Sequence, residues 1–465
     1  MVKLRILYFN DVHSRFEELA KVASIVEELR DKNTVILDAG DNADFARLET
    51  EGTNGVISSA VLNRIGVDAR VFGNNEGFAG NDNSRILSER SDCPVVTCNI
   101  YDLEDRKPAF LDDAVVLERS GVKVLIVGVT AGDWLNAFYE LFGLKVKDPR
   151  SEIGRVLADY ERFDYDLQIV LSHCGLEEDR KIASQYQNID MIVGGHSHTV
   201  LKKPLVTNGV MIVQAGQFGE YLGEVVIDFD VEKKKVQRFK GRLISAKNYA
   251  PMTEIMELIG HYSAEADRNL STELFSIHVN LDHSLTGENP LGNLLADALK
   301  DVLNAEIGII NSGVVTEGIG KGPITRKLLH KLCPSPLNPT YMEVKGADLR
   351  AALEKSLLKE FQLGDGRGPG SRTRYLGNLQ VSDNVRIKVG SEKVRSITVD
   401  SRPLVHDRWY SIGTSDFLQR GTGYSELANN RNERYRPEFL RELLQTYLQK
   451  RAFLAKAFDK RFVVK

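Results

Sequence analysis

The sequence has few cysteines, no long apolar run and almost no excess charge of either sign. Its four cysteines among 465 residues form no CxxC pair, which is typical of reduced thiols and argues against a disulfide framework. No segment approaches the roughly 18 uncharged apolar residues that a membrane span needs. Residues 1–10 read as a strand and not as an export signal, because no small-residue cleavage site follows them. We therefore expect a cytoplasmic protein without a membrane partner.

The net charge and the length of the chain further restrict the class of protein. The 61 basic and 65 acidic residues are well mixed and leave a net charge of -4, which argues against binding to a nucleic acid polymer. With 42% hydrophobic residues, the chain is long enough to bury two cores, so two domains are expected. The sequence carries no signal for an oligomeric state.

Short aliphatic runs alternate with amphipathic segments in the first half of the chain. The runs predict strands at residues 4–9, 34–37, 69–72, 94–98, 122–127, 167–171, 191–193, 210–214 and 223–229. Apolar residues at helical spacing predict helices at 16–30, 55–65, 153–160 and 177–187. This alternation predicts an α/β layered architecture.

The pattern changes after about residue 240. A charged amphipathic segment at 252–270 predicts a helix, and a second α+β unit follows it, with helices at 291–303, 325–332 and 346–359. We therefore place a first domain at 1–240, a linker helix within 241–270 and a second domain at 271–465.

Polar residues follow five of the predicted strands, at the carboxyl ends where ligands of α/β sheets bind. All four histidines before residue 240 fall at these strand ends. An Asp-x-His or a Gly-Asp-Asn alone is more typical of a turn, and Gly-Gly-His-x-His alone fits a turn and a metal site about equally, but the five motifs in order favour a metal site. The candidate metal ligands are Asp11, His13, Asp41, Asn74, His173, His196 and His198.

The residue types indicate the metal and its chemistry. Imidazole and carboxylate ligands together suit Mn, Zn, Fe or Co better than Ca or Mg alone. Two divalent ions roughly 3.5 to 4 Å apart can clamp a phosphoryl group during in-line displacement. The sequence therefore predicts a two-metal phosphoesterase.

These motifs, in this order, resemble the calcineurin-like metallophosphoesterase superfamily, and nearly the whole chain resembles the 5'-nucleotidase family within it. Residues 171–179, 289–298 and 415–424 carry the resemblance beyond the metal motifs. It implies a four-layer α/β/β/α sandwich joined by a helix to an α+β C-terminal substrate domain. It also implies one ion held by Asp11, His13, Asp41 and His198, and a second ion held by Asp41, Asn74, His173 and His196.

The chain departs from the family pattern at two positions that follow the candidate ligand Asn74. Asn75 stands where the family has a catalytic histidine, and Phe78 stands where that histidine has its aspartate partner. An imidazolium supplies charge or a proton, typically worth 10²- to 10⁴-fold, whereas an amide donates only a neutral hydrogen bond. We expect slower turnover than in the family, or substrates whose leaving groups need less charge stabilisation or protonation by the enzyme.

The second domain departs as well. Thr316 replaces a family arginine, and residues 334–337 replace an aromatic segment that would stack on a nucleobase. Phe417 is kept, and it is interpreted either as a core residue or as a stacking surface for substrate. Arg372 and Arg374, in the glycine-rich loop 364–377, are candidates for contacting substrate phosphate.

Three functional hypotheses follow. The first is a nucleotide phosphomonoesterase that acts through a metal-bridging hydroxide, with a role in nucleotide catabolism and a small phosphorylated substrate, such as a nucleotide, as its partner. The second is a phosphodiesterase or nucleotide-sugar pyrophosphatase, whose better leaving group tolerates the loss of the histidine. The third is a catalytically weak metal-containing sensor that binds nucleotide.

Overall fold

The chain divides into two units, Met1–Asp267 and Arg268–Lys465. The structure, a computed structural model, describes residues 1–132, 135–368, 370–390 and 393–464. The division falls within the helix Thr253–Leu270. Residues 241–245, which the sequence assigns to a linker, still belong to the strand Lys235–Ser245.

The first unit contains two large sheets and one small ribbon. Its strands are β1 (Val2–Phe9), β2 (Thr34–Asp38), β3 (Ala69–Arg70), β4 (Ile100–Asp102), β5 (Ala114–Arg119), β6 (Val122–Thr130), β7 (Leu144–Val146), β8 (Leu167–His173), β9 (Met191–Gly194), β10 (Leu205–Thr207), β11 (Val210–Val213), β12 (Tyr221–Asp230) and β13 (Lys235–Ser245). The strand orders are β13-β12-β1-β2-β3, β10-β11-β9-β8-β6-β5 and β4-β7.

The first unit also contains helices. They are α1 (Phe16–Leu29), α2 (Leu48–Gly52), α3 (Val56–Ile65), α4 (Asn74–Phe78), α5 (Asn81–Glu89), α6 (Asn136–Leu141), α7 (Pro149–Tyr160), α8 (Leu176–Gln185) and α9 (Thr253–Leu270). A central core joins the inner faces of the sheets, with Ile6 and Val35 from one sheet and Ile126 and Ile169 from the other. One outer core packs α1, α3 and α9 against the first sheet, and another packs α7 and α8 against the second. The first unit is therefore the four-layer α/β/β/α sandwich.

The parallel strands of both sheets position the candidate ligands. In the first sheet, β1 runs parallel to β2 and β2 runs parallel to β3. In the second sheet, β6, β8 and β9 are parallel. A candidate ligand lies at the carboxyl end of each of β1, β2, β3, β8 and β9, or within four residues after it. The buried strands therefore fix where each ligand loop starts.

The second unit is α+β. Its strands are β14 (Glu273–Ile277), β15 (Ile307–Asn311), β16 (Gly322–Thr325), β17 (Pro339–Lys345), β18 (Leu379–Val381), β19 (Val385–Gly390), β20 (Lys393–Val399), β21 (Arg402–Pro403), β22 (Trp409–Ser415), β23 (Asn430–Tyr435) and β24 (Phe462–Val464). They form the sheets β18-β15-β22-β17-β23, β21-β20-β19-β24 and β14-β16. The helices are α10 (Pro290–Val302), α11 (Arg326–Leu332), α12 (Gly346–Lys355), α13 (Lys359–Gln362), α14 (Asp416–Gln419), α15 (Leu440–Tyr447) and α16 (Arg451–Lys456).

Two predicted elements differ from the structure. Residues 94–98 make only isolated bridges, Val95 with Arg70 and Val96 with Asp112, although the segment is largely buried. The predicted helix 346–359 ends at Lys355, and a separate short helix starts at Lys359. Among the described residues, no helix is long and apolar enough to cross a membrane.

Candidate metal centre

The structure brings the seven candidate ligands of the first unit together. Ligand atoms of Asp11, His13 and His198 lie within 4.8 Å of one another, as do those of Asp11, Asp41 and His173. The remaining two ligands are neighbours, since His196 Nδ1 lies 2.8 Å from Asn74 Oδ1. The rings of His173 and His196 are 5.2 Å apart. The ligands therefore form two adjoining clusters.

Asp41 faces both clusters with different oxygens. Its Oδ1 lies 3.3 Å from Nε2 of His173. Its Oδ2 lies 4.0 Å from Nε2 of His13. A carboxylate placed in this way can serve two cations at once, which is the role that the resemblance implies for Asp41.

Buried polar atoms of the site fit a cation. Asp11 Oδ1 and His173 Nε2 are fully buried, and neither makes a well-aligned hydrogen bond among the residues that the structure describes. Leaving such atoms without a partner is costly, so their convergence favours a bound ion. The side chain of His198 is 37% exposed and marks the open side of the centre.

The charges of the buried ligands are strongly interdependent. Burial alone would raise the pKa of Asp41, but the imidazole of His173 lowers it well below its usual range. Burial alone would lower the pKa of His173, but Asp41 and Asp11 raise it to about 10. Burial and the neighbouring His173 lower the pKa of His196 to about 4. A divalent ion would take the place of the proton that His173 holds in this environment.

The ligand loops have an unusual backbone. Five of the seven candidate ligands have positive φ angles near those of a left-handed helix, a conformation that non-glycine residues rarely adopt. They are Asp11 (52°), His13 (48°), Asp41 (56°), His196 (71°) and His198 (54°). Such strain concentrates at functional sites, where the surrounding structure enforces it.

Glu76 holds the loop that carries Asp41. Its buried carboxylate accepts hydrogen bonds from the backbone N–H groups of Asp41 (3.0 Å), Asn42 (2.8 Å), Ala43 (2.9 Å) and Gly73 (2.9 Å). The fully buried guanidinium of Arg70 lies 3.8 Å from Glu76 Oε1. Burial and the nearby Asp41 raise the pKa of Glu76, and Arg70 opposes that rise.

Gly73 allows the third ligand loop to approach Asp41. A Cβ at this position would overlap Oδ1 of Asp41. Any side chain here would displace the carboxylate oxygen that faces His173, so only glycine fits.

Asp179 supports the loop that carries the ligand His173. Its Oδ1 accepts a hydrogen bond of 2.6 Å from Ser172 Oγ, next to the ligand His173. Burial raises the pKa of Asp179 to about 7. In an unfolded chain the same carboxyl titrates near 3.9.

The raised pKa predicts how Asp179→Asn changes the pH dependence of stability. Between about pH 4 and 7 the folded protein holds a proton that the unfolded chain has released, so this carboxyl lowers stability as pH rises through that window. The slope for one such group is at most about 1.36 kcal/mol per pH unit. We expect the metal-free Asn variant to lose less thermal stability than wild type between pH 5 and 8. Melting temperatures across that range check this.

The surface variant Asp159→Asn is the control for Asp179→Asn. Asp159 is exposed on α7 and pairs with Arg155 at 3.3 Å. Its melting curve is expected to follow wild type at every pH. Parallel pH profiles for wild type and the Asp179 variant would contradict the buried titration.

The structure shows the contacts of Asn75 and Phe78, the two positions of the first unit that depart from the family pattern. Asn75 lies in the metal centre, with its side-chain nitrogen 2.9 Å from His13 Nδ1. Phe78 packs against Phe138 and Tyr139, with ring centroids 5.8 and 5.1 Å away. Phe78 therefore belongs to an aromatic cluster and cannot act as the acid partner of residue 75.

The substrate residues proposed for the second unit separate into two groups. Phe417 is 1% exposed and packs in the core of that unit, which favours the first of its two interpretations, and its contact with substrate stays untested. Arg372 and Arg374 are exposed, with the Arg374 guanidinium 5.0 Å from the ring centroid of Tyr375. Their contact with substrate stays a prediction.

Sequence reasoning assigned no role to Glu76, Arg70 or Phe218. Glu76 directly follows the Asn74 and Asn75 motif, and that adjacency is the one sequence signal that points to it. The ring of Phe218 lies 5.7 Å from that of His13 and 6.4 Å from that of His198. Its backbone N–H donates to Asp11 O at 2.8 Å. No periodic pattern marks Phe218, because it lies in a loop.

Comparisons with known proteins agree with the fold and the site. The calcineurin-like phosphoesterase family matches residues 4–200, and the 5'-nucleotidase C-terminal domain family matches residues 266–429. The chain is 27% identical over 459 residues to the uncharacterized metallophosphoesterase YunD of Bacillus subtilis (strain 168), covering 95% of this chain and 98% of that protein. It is 26% identical over 502 residues to a 5'-nucleotidase of Diplobatis ommata, covering 92% and 84%.

A solved structure shows the same fold. The NAD nucleotidase NadN of Haemophilus influenzae superposes with a TM-score of 0.70 at 17% identity, covering 100% of this chain and 99% of that one. Together with the match to the calcineurin-like phosphoesterase family, the four-layer sandwich and its Asp and His clusters identify the first unit as a metallophosphoesterase domain.

The two matched domains then give the family. The chain belongs to the 5'-nucleotidase family of calcineurin-like phosphoesterases and is a hydrolytic enzyme of that family. Its Asp and His clusters fit the dinuclear metal centre of these enzymes.

Proposed function

We propose that this enzyme releases phosphate from a nucleotide or a related organic phosphate monoester, using two divalent ions of Mn, Zn, Fe or Co. The observation that carries this proposal is Asp41, whose two oxygens face the two ligand clusters. Bound ions would supply the attacking oxygen and neutralise charge on the phosphoryl group. The four free cysteines support a reducing, cytoplasmic setting.

The chain's own residues would prepare this chemistry in three ways. Asp11, His13 and His198 present one cluster of ligand atoms, and Asp41 links it to the second. Glu76 accepts three backbone hydrogen bonds from the Asp41 loop and a fourth from Gly73, so the Asp41 carboxylate is positioned before substrate binds. The exposed edge of His198 leaves one side open to a phosphate ester.

A second candidate is hydrolysis of a phosphodiester or a nucleotide-sugar pyrophosphate. The observation that favours it is the pair of Asn75 and Phe78, which leaves no imidazolium and carboxylate at these two positions. The leaving group of a pyrophosphate or an aryl diester has a low pKa and needs no proton from the enzyme, so such substrates tolerate the change better than an alkyl monoester.

A substrate panel separates the two candidates. Metal-free protein is supplied with Mn²⁺ and offered AMP, p-nitrophenyl phosphate, bis-p-nitrophenyl phosphate and a nucleotide-sugar. We expect measurable phosphate release from the monoesters, with p-nitrophenyl phosphate faster than AMP because its leaving group is more acidic. Faster cleavage of the diester or the nucleotide-sugar would favour the second candidate. If no ester is cleaved faster than by an Asp41→Ala variant, a metal-containing sensor replaces both.

A further inference from the structure

Asn75 contacts three of the candidate ligands. Its backbone N–H donates to Asp41 Oδ1 at 2.9 Å. Its side-chain amide lies 2.9 Å from His13 Nδ1. Its Oδ1 lies 3.3 Å from the side-chain nitrogen of Asn74. Residue 75 therefore touches ligands of both clusters, and its half-buried side chain is directed at the ligands themselves.

The two nitrogens of His13 have different surroundings. Nε2 lies 3.2 Å from His198 Nε2 and 3.8 Å from Asp11 Oδ1, so it faces the cluster of ligand atoms. Nδ1 faces Asn75, with the carboxylate of Asp44 at 3.8 Å. His13 would therefore bind an ion through Nε2.

This arrangement requires an acceptor at Nδ1. A neutral imidazole that binds metal through Nε2 keeps its proton on Nδ1, and that N–H normally donates to an oxygen. The oxygen and nitrogen of an asparagine amide exchange places by a half-turn of the same planar group. After that half-turn, Oδ1 of Asn75 occupies the position 2.9 Å from His13 Nδ1 and gives up the longer contact of 3.3 Å with the side-chain nitrogen of Asn74.

We propose that Asn75 is a positioning residue for the metal centre, whose side-chain oxygen accepts the Nδ1–H of His13 and holds Nε2 toward the ion. Its backbone N–H fixes Asp41 at the same time. The neighbouring position 78 is consistent with this role, because Phe78 is committed to the aromatic cluster with Phe138 and Tyr139. Residue 75 in this chain acts through His13, and not by giving a proton to substrate.

This inference rests on the proposed metal centre but not on any substrate, so it is tested by metal binding. Full-length protein is stripped of metal and titrated with Mn²⁺, and free Mn²⁺ is followed by electron paramagnetic resonance. Loss of a residue that hydrogen-bonds to a metal ligand typically lowers metal affinity 10- to 100-fold. We expect that loss for Asn75→Ala. Asn75→Asp keeps an acceptor oxygen and is expected to bind at least as tightly as wild type.

A spectroscopic readout tests the orientation of His13. In Co²⁺-loaded protein, the intensity of the visible absorption depends on coordination number and geometry. The Asn75→Ala spectrum is expected to differ from wild type, and the Asn75→Asp spectrum to match it. Asn81→Ala, at an exposed position at the start of α5, is the matched control and is expected to leave both affinity and spectrum unchanged.

Two results would overturn the proposal. One is an Asn75→Ala variant that binds Mn²⁺ as tightly as wild type with the same Co²⁺ spectrum. The other is an Asn75→Asp variant as weak as Asn75→Ala, since an acceptor at the same position would then be irrelevant. Failure of the substrate panel leaves both measurements intact, so the two proposals fail separately.

Discussion

Replacing Asp41 by alanine is expected to abolish phosphate release, with a fall of at least about 10³-fold in kcat on every ester that wild type cleaves. A single preorganised group that stabilises transition-state charge is worth about 10² to 10³. Asp41 serves both clusters, since Oδ1 lies 3.3 Å from His173 and Oδ2 lies 4.0 Å from His13. Its loss therefore weakens both ion sites together.

Metal content identifies the cause of that loss. Elemental analysis of purified Asp41→Ala should show fewer than two ions per chain, where wild type binds two. Asp41→Asn keeps the size of the side chain but removes its charge. Its metal content is expected to lie between that of Asp41→Ala and that of wild type. Asp82→Ala, at an exposed position in the first turn of α5, is the control and should retain full activity and metal. Full metal occupancy and activity in Asp41→Ala would refute the two-metal assignment.

Replacing Glu76 by alanine is expected to destabilise the first unit by about 3 to 5 kcal/mol and to weaken metal binding. Removing one partner of a buried charged pair typically has this effect, because the other charge stays buried. Here Arg70 would keep its charge at 0% exposure, with the buried carboxylate of Asp38, 3.7 Å away, as its remaining acidic neighbour. Four backbone N–H groups on the Asp41 and Gly73 loops would also lose their acceptor.

Thermal unfolding of metal-free protein measures this effect. Each kcal/mol corresponds to roughly 2 to 4 °C for a unit of this size. Glu76→Gln keeps one acceptor oxygen but turns an amide N–H toward backbone donors, so it should be destabilised less than the alanine variant. Glu89→Gln on α5 is the matched control, because its pair with Arg85 is exposed and worth little. A Glu76→Ala variant as stable as Glu89→Gln would show that the carboxylate does not hold these loops.

The sequence predicted the ligands because each follows a run of buried aliphatic residues. The last four residues of β1, Ile6 to Phe9, are apolar or aromatic, and in β8 the aliphatic run 169–171 comes directly before Ser172 and His173, so the start of each polar motif is visible without a structure. The same contrast predicted β2 within one residue of its observed end. The edge strand β13 was missed, because its burial pattern is mostly exposed and polar residues carry no alternation that marks a strand.

The residues that support the ligands could not be predicted in the same way. Arg70 ends the short strand β3 and reads as a surface residue, yet it is fully buried between Asp38 and Glu76. Asn75 was recognised as a departure from the family pattern, but its contact with His13 joins residues 62 positions apart. Phe417 was ambiguous because a buried aromatic and a stacking aromatic have the same local sequence. Only tertiary packing separates these alternatives.

The left-handed backbone at the ligands has a consequence for how the centre exchanges metal. Five ligand residues each sit in a conformation that costs on the order of 1 to 3 kcal/mol for a non-glycine residue. Glycine would remove the strain but also the ligand, so these positions cannot be relaxed without losing the centre. In the metal-free enzyme this stored energy favours local opening of the ligand loops, while the aliphatic strands beneath them stay closed. An ion that binds only the closed loops would stabilise them by an amount set by its affinity and concentration, and that amount must also offset the strain.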